Sequence, residues 1–592
     1  VIMLRSHHLG ELKEELVGKT VTLCGWVERL REVGGVNFLV LRDRYAKLQL
    51  NLESKLLTDL KLGREDCIKV SGLLGLRPDK DRKNEVNGEL ELTVTEIELL
   101  NKSLTPPFVV DDKEEVNEDL RLRYRYLDLR RDYMKRNMEF RHKVVEQIRK
   151  TMSGFDFLEV ETPQLMKSTP EGARDFLVPS RIFPGEFYAL PQSPQIYKQI
   201  LQVSGLDRYY QFARCFRDED ARNERQLVHT QMDMEMSFVE EEDVWQVIEA
   251  IFSDLFEELL GVKLETPFLR LDYAECVSRF GLDKPDLRFG MELKDIHPAL
   301  EGSAYDWFHE VMQSGGRIAA FSVPGGAQFS RKQIDKFSEF VKAYRARGIF
   351  YVKVTEEGLQ GGAAKHIPTQ NHQQFLEITG AQAGDLVIFL ADKIKVVNDS
   401  LGYLRNHVAK QMDSIRKPEE GSFIPEGVYR FLWVTRFPLF EYNPDEERWD
   451  AMHHMFTMPY EEDMKYFETG ELEKINGRLY DLVLNGVELG SGSIRIHKAE
   501  IQQKVFDAIG FSKEDAKERF GFFLESLKYG APPHGGIALG LARLVMTLLQ
   551  LDNMRDVIAF PNASSNRYLL DNSPTSVPSQ QWEELGLQPW EK

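Results

Sequence analysis

The sequence has little cysteine, no long apolar run and no surplus of positive charge, and each shortage removes a class of protein. Four cysteines, Cys24, Cys67, Cys215 and Cys276, are scattered along 592 residues without a CxxC pair or a histidine at ligand spacing. That pattern offers neither a disulfide framework nor a zinc site, and it suits reduced thiols in the cytosol. No stretch approaches the roughly 18 consecutive apolar residues of a membrane-crossing helix, so no membrane partner is expected. The opening VIMLRSHHLGELKEEL lacks a cationic segment followed by an apolar one, which weighs against a secretory signal. A net charge of -19 argues against nonspecific coating of nucleic acid. Neither GxxxxGK[ST] nor a GxGxxG after a strand occurs, so a doubly wound nucleotide fold is disfavoured.

The length predicts several domains. Residues 18 to 100 hold about five short alternating or apolar runs, from GKTVTLCGWVERL to ELELTVTEIELL, as expected of a small closed β-barrel of the OB type. Any other small β domain is the competing reading. Over residues 1–105 there are 17 Lys and Arg against 17 Asp and Glu, so the acidity lies downstream and this segment is best placed to meet a polyanion. A Pro- and acid-containing linker and a long basic helical stretch follow. Strands and helices then alternate without βαβ order, which points to an antiparallel sheet with helices. The block near 288–420 has its own strand–helix alternation. The division read from the chain is 1–105, a hinge at 106–135, 136–287, an insertion at 288–420, and 421–592.

Five segments carry unusual polar content. PQSPQIYK sets Ser193, Gln195 and Lys198 at the start of a helix, where N–H groups and a cation can meet an anion. A cap with a solvated lysine is the plain alternative. CFRDED and TQMDMEMSF read as two antiparallel strands. In the second, Met232, Met234 and Met236 alternate with Asp233, Glu235 and Ser237, and the carboxylate face suits a wet cleft. YDLVLNGVELGSGSIRIH brings Asp481 and Glu488 onto a strand pair, with Arg495 beyond. Two carboxylates near phosphate-binding arginines suit Mg2+, although an ordinary charged hairpin would look similar. AMHHMF supplies His453 and His454, more often packed than ligating. GGIALGLAR ends in Arg543, one turn into a helix.

Together these segments resemble the class II aminoacyl-tRNA synthetases, in the bacterial-type aspartyl-tRNA synthetase family. VETP with Pro163 is similar to motif 1, FRDE with TQMDME to motif 2, and GLAR with Arg543 to motif 3. TPEGARDFLVPSR, RYRYLDLRR, GSIRIH, YGAPPHGGIALGL and RDVIAFP are similar to further signatures, so the likeness covers nearly the whole chain. The fold it implies is multidomain α+β: an N-terminal OB-type β-barrel for the anticodon, a catalytic domain on an antiparallel sheet, and an inserted α+β domain.

The activity implied is adenylation of L-aspartate by ATP with Mg2+, then transfer of aspartyl to the 3' end of tRNA(Asp), in a cytoplasmic homodimer formed through motif 1. The resemblance makes Arg217 and Arg543 catalytic. Asp218, Glu219, Gln226, His229, Gln231, Glu488, Gly540, Leu541 and Ala542 join these two around ATP, and Asp481 with Glu488 holds the metal. Lys198 and Arg495 would clamp the aspartate side chain, which disfavours an asparagine-specific relative. Glu171, Ser193, Gln195, Arg217 and Asp233 would complete that pocket, with His453 above the amino acid, donating to its carboxylate. Arg31, Glu32, Phe38 and Gln49 would meet the anticodon. Several positions depart from the family's pattern: Leu227, Val228 and His229 stand for Pro-Glu-Phe, Ala542 and Arg436 for Asp, Met455 for Pro, Ser491 for Gly and Asn562 for Lys. A paralogue that binds without charging is the competing function. It would be expected to have lost some of Lys198, Arg217, Glu219, Asp233, Asp481, Glu488, Arg495 and Arg543, all of which are present.

Overall fold

The structure, a computed structural model, describes residues 4–33, 36–57, 60–169, 173–219 and 225–588. The chain forms two compact units. The first takes residues up to 142 with 221–226 and 551–576, and the second takes the remainder. No helix among the described residues is long and apolar enough to cross a membrane.

In the first unit, alternation closes a sheet. Strands Thr20–Val33, Val36–Arg42, Lys47–Glu53, Cys67–Leu76 and Leu90–Asn101 form a closed five-stranded barrel. Every second side chain, among them Leu39, Leu41, Leu48, Leu50, Ile68 and Val70, is buried inside it. Closure comes from one parallel pairing, Lys47–Glu53 with Leu90–Asn101. At Gly25 a Cβ would stand 2.5 Å from the Arg42 carbonyl oxygen, so only glycine lets the longest strand bend against its neighbour there.

The segment RYRYLDLRR leads through short helices into the helix Asp132–Gly154. Arg125 is buried and donates to the carbonyls of Arg555, Ile558 and Ala559 while pairing with Asp128. Arg121 pairs with Asp128 and Asp556. RYRYLDLRR and RDVIAFP are therefore two halves of one buried contact.

The second unit is built on an eight-stranded sheet. Its order is Leu269–Asp272, Phe431–Thr435, Leu479–Leu484, Val487–Ile494, His534–Gly540, Val228–Ser237, Arg208–Phe216 and Leu158–Glu159. The six central strands are antiparallel as expected, but the outermost strand at each edge pairs in parallel. Residues facing one another across a sheet share a face. Met234, Ile537, Gly492 and Tyr480 lie on one row, and Asp233, Ala538, Ser491 and Asp481 on the next, so the two rows face opposite ways. The first face lies under the helix Glu241–Leu260. Its Trp245 stacks on Trp433 at 5.6 Å and meets Tyr480 edge-on at 5.7 Å, and its Glu249 accepts from the Trp433 indole at 3.0 Å. The second face carries the polar residues.

An antiparallel five-stranded sheet, Lys294–Asp295, Arg317–Val323, Leu386–Asp392, Phe350–Thr355 and Gly358–Gln360, makes a separate layer with an apolar cluster on each side. Its entrance is stapled by Arg405 from the helix Ile394–Gln411. This guanidinium, 1% exposed, donates to the carbonyls of Asp286, Phe289, Gly290 and Met291 and stacks on the Phe289 ring at 4.3 Å. Burial pushes its pKa down to about 10. Arg405→Ala should leave those carbonyls without donors and cost about 3 kcal/mol or more. Thermal unfolding with limited proteolysis across 288–420 reads this out. An unchanged midpoint and cleavage pattern would contradict the stapling role.

Candidate active site

The polar face is organised by one buried charge cluster. Lys198, on the helix Gln195–Val203, sits 2.9 Å from Asp233 Oδ1 and 3.5 Å from Glu235 Oε2. Arg495 donates to both Glu235 oxygens, at 2.8 and 3.2 Å, and to Ser493 Oγ at 2.7 Å. Its Nη1 also lies 2.9 Å from His454 Nε2. The four charged side chains are at most 1% exposed. Two cations thus neutralise two carboxylates away from water, the arrangement that makes such burial tolerable. Against burial, which alone would raise it, Arg495 and Lys198 hold the Glu235 carboxyl below its ordinary pKa. Burial and the neighbouring Arg495 hold His454 neutral, well below the usual histidine range.

This corrects two expectations. The Asp233/Glu235 face is not the floor of a wet cleft, because the helix Gln195–Val203 covers it with Lys198, Gln199 and Gln202. Nor are Lys198 and Arg495 bare cations, since both are already paired. What remains open is finer. Lys198 has three N–H groups for two acceptors, and Arg495 has five for the two Glu235 oxygens and Ser493 Oγ. His454 adds no acceptor, because its Nδ1 accepts from the Phe456 N–H and its neutral ring then carries a proton on Nε2. Each cation thus keeps N–H capacity without a protein acceptor among the described residues. Gln195 Nε2, Arg217 Nε, Asp233 Oδ2 and Asp481 Oδ1 are likewise buried without a hydrogen-bond partner. Buried polar atoms are nearly always satisfied, so a group of four such atoms in one site, donors and acceptors both, suits a polar ligand.

Asp481 and Glu488 reach the same face through a bulge. Opposite Leu482 stands Gly490, but opposite Val483 stands Glu488, so Leu489 is the extra residue. Without that bulge Glu488 would point to the other side. Among the described residues there is no cluster of three or more His, Cys, Asp or Glu. Two carboxylates, one with an unpartnered buried oxygen, fit Mg2+, which takes the rest of its shell from substrate and water. Burial and the nearby Glu488 raise the Asp481 pKa well above the ordinary value. His453 lies beside them, its Nδ1 3.1 Å from Ser491 Oγ and its ring edge-on to Phe437.

The other expected residues separate into those brought to this face and those elsewhere. Arg217 and Asp218 follow the strand Arg208–Phe216, with Glu219 next to them. Gln231 pairs with Gly540 and accepts from the Cys215 thiol at 3.3 Å. Gly540 caps the helix Leu541–Leu548, which places Leu541, Ala542 and Arg543 in its first turn, and Arg543 donates to the Glu488 carbonyl at 3.0 Å. Ser193 accepts from the Gln195 N–H at 3.2 Å, at the head of the lysine-bearing helix. Gln226 belongs to the first unit, where its side chain bonds both backbone groups of Asn562. Glu171 lies outside the described residues. On the barrel, Arg31 faces Phe38, and Gln49 follows two residues along on the same outer face. Glu32 alternates to the other side, opposite Asn37. Glu235, His454, Ser493 and Gln199 were not among the expected site residues. Glu235 was signalled, since it continues the alternation begun by Asp233.

A family model described as class II tRNA synthetases (D, K and N) matches residues 117–564, and an OB-fold nucleic acid binding domain matches residues 21–100. The chain is 47% identical over 594 residues to an aspartate–tRNA(Asp/Asn) ligase of Desulfatibacillum aliphaticivorans, covering 99% of this chain and 98% of that one. It is 46% identical to an aspartate–tRNA ligase of Ruminiclostridium cellulolyticum, with 98% of each covered. Among solved structures, asparaginyl-tRNA synthetase from Pyrococcus horikoshii with asparaginyl-adenylate superposes with a TM-score of 0.59 at 18% identity. It covers 95% of this chain and 99% of that one, a likeness of fold alone.

His229, opposite Cys215 on the strand Val228–Ser237, yields a pH prediction. Burial and the arginines 217, 543 and 214 push its pKa down to about 3, so the folded ring stays neutral while the unfolded one protonates below 6.5. The unfolded state then binds the extra proton, and stability falls as pH drops below 6.5. By pH 5 this amounts to about 2 kcal/mol. Denaturant unfolding at pH 7.5 and pH 5 should show that extra loss in the natural chain and not in His229→Phe. Equal losses would mean that the ring is not held neutral.

Proposed function

The chain belongs to the class II tRNA synthetases of the aspartate, lysine and asparagine group, and on that premise we propose how its residues carry out the ligation of aspartate to tRNA. The ligase reaction is ATP-dependent, and its first step needs no general base, because the substrate carboxylate is itself the nucleophile. Alignment and charge neutralisation carry the chemistry. The observation that carries this reading is the group of unpartnered buried atoms around the neutral quartet.

Asp233 Oδ2 is an acceptor suited to the α-ammonium of aspartate, with Glu171 and Ser193 completing that end. Gln195 Nε2 and the spare N–H groups of Lys198 and Arg495 are donors suited to its side-chain carboxylate. The amide of asparagine would bring two N–H groups to those donors, and a mismatch of that kind costs on the order of 10⁴-fold in discrimination. Arg217 would bridge the reacting carboxylate and the α-phosphate, and Arg543 would take the γ-phosphate side. Glu219 and Asp218 would hold the adenine end, with the His229 ring stacked on the base and Gln231, Gly540, Leu541 and Ala542 forming the cleft wall. Asp481 and Glu488 would hold Mg2+, whose charge offsets that of the leaving diphosphate. Gln226 would join the residues around ATP.

The barrel would read the anticodon of tRNA(Asp), with Phe38 stacking on an unpaired base and Arg31 and Gln49 on the same face at the base edges. Dimerisation through motif 1, a cytoplasmic location and the five-part division of the chain belong to the same proposal.

Aspartate-dependent ATP–diphosphate exchange tests the first step, and charging of tRNA(Asp) the second. Exchange should require Mg2+ and vanish with a chelator. Asparagine should support it about 10⁴-fold less well. Arg217→Ala should lower exchange on the order of 10³-fold or more. Full exchange in that variant would remove Arg217 from the reaction centre, and no exchange with aspartate in the natural chain would overturn the proposal.

A further inference from the structure

The loop 281–288 leads into the five-stranded layer and is pinned between that layer and the hairpin that carries Glu488. At its start, Gly281 closes the helix Tyr273–Phe280 in the left-handed region at φ 76. A Cβ there would stand 2.4 Å from the Asn398 carbonyl oxygen of the helix Ile394–Gln411, so loop and helix touch through glycine. On the other side the hairpin turn meets the loop, since a Cβ on Gly486 would lie 3.2 Å from Asp286 Cβ. Asp286 itself is held twice: Arg405 donates to its carbonyl, and Arg288 forks onto its carboxylate at 3.0 and 2.7 Å. Leu287 and Met452, the latter beside His453, pack against the apolar cluster that contains Phe437 and Val483. Val483 is the residue opposite Glu488.

Lys284 stands two residues before Asp286, and Glu488 two residues after Gly486, a separation within the reach of an extended lysine side chain. The Lys284 ammonium donates to Asp283 Oδ1 at 3.0 Å, its one acceptor among the described residues, so two of its three N–H groups are left over. Burial works against its charge, but Asp283 and then Glu488 hold its pKa above the ordinary value. The charges of Asp283 and Lys284 act in turn on Asp481 and His453. We propose that Lys284 is a further phosphate-binding residue, carried by the loop of the inserted layer to the Asp481 and Glu488 end of the site, where it contacts the outer phosphates of ATP beside Mg2+. Two carboxylates and a triphosphate bring more negative charge than one Mg2+ and Arg543 offset, and a tethered ammonium reduces the excess. Asp283 fixes the direction of the lysine without using up its donors. The inserted layer thereby takes part in the reaction, and the Arg405 staple keeps its loop in place. This inference rests on reading the polar face as the ATP site.

Two readouts test it, with Lys284→Met, which keeps the apolar stem, Lys284→Arg, which keeps the charge, and the natural chain, all full-length and with Mg2+ present. By calorimetry, methionine should weaken ATP binding about tenfold and leave AMP, which lacks the outer phosphates, within about twofold. Arginine should restore the natural affinity for ATP. In exchange assays methionine should raise KM for ATP about tenfold and leave KM for aspartate within about twofold. A merely structural role would move AMP and aspartate along with ATP. ATP binding that methionine leaves within about twofold, or AMP weakened as much as ATP, overturns the proposal. If the natural chain binds ATP but shows no aspartate-dependent exchange, the ligase reading fails, and the contrast between ATP and AMP still decides the role of Lys284. A natural chain that binds neither nucleotide overturns both.

Discussion

The neutral quartet of Lys198, Asp233, Glu235 and Arg495 is the constraint on which the rest of the site depends. Four ionised groups without water are tolerable only if every charge is matched at hydrogen-bond distance. That requirement fixes the helix Gln195–Val203 over the Val228–Ser237 strand, because Lys198 must reach two carboxylates at once. It fixes the Val487–Ile494 strand, whose continuation delivers Arg495 to Glu235, and it requires glycine at 536, where a Cβ would collide with the Glu235 carboxylate. Removing one member would leave a partner charged and buried, at a cost of about 3–5 kcal/mol. Stability and selectivity are therefore one arrangement. The cations that hold the sheet together also keep N–H capacity in reserve, which is what the proposed carboxylate contact would use.

The bulge at Leu489 imposes the second constraint. A regular strand pair could place Asp481 on the polar face or Glu488, but not both, given their spacing in the hairpin. The extra residue brings them together and leaves Asp481 Oδ1 buried and unpartnered. Burial and the neighbouring Glu488 raise the Asp481 pKa, so this carboxyl resists being left bare and ionised. The quartet is already balanced in charge, whereas this pair of carboxylates is not. The two subsites lie in line on one row of the sheet, Asp481, Ser491, Ala538 and Asp233.

Much of this was legible in the chain. Alternation identified the five barrel strands and the Val228–Ser237 strand, and the polar segments fell where the site lies. What escaped was whatever depends on partners distant in sequence. The alternation showed that Asp233 and Glu235 share a face, but not that Lys198 and Arg495 would cover it, since those cations arrive 35 and 260 residues away. The strand pair bearing Asp481 and Glu488 was read from the chain, but a bulge has no period and leaves no trace in a pattern of apolar and polar residues, so the device that turns both to one face was not. Glu32 was grouped with Arg31 by adjacency, whereas a strand sends neighbours to opposite sides. Gln226 was read by its nearness to motif 2, and its amide is engaged by Asn562 and by the Arg225 carbonyl.

The positions that depart from the family's pattern show how such a site can change without losing its charge balance. The buried Ala542 before Arg543 offers no carboxylate, and the guanidinium is oriented by the Glu488 carbonyl. A backbone oxygen cannot be lost by mutation, and this one ties Arg543 to the strand that carries Glu488. His229 brings a titratable ring among three arginines, yet burial and their field keep it uncharged, and its flat face is preserved. Arg436 adopts a left-handed backbone at φ 54 but stacks on Tyr460 at 4.1 Å and pairs with Glu462, away from the quartet. Each change either leaves formal charge outside the buried cluster or is neutral in the folded state. A single uncompensated charge among Lys198, Asp233, Glu235 and Arg495 would weaken the sheet on which Asp481, Glu488 and Arg495 are placed.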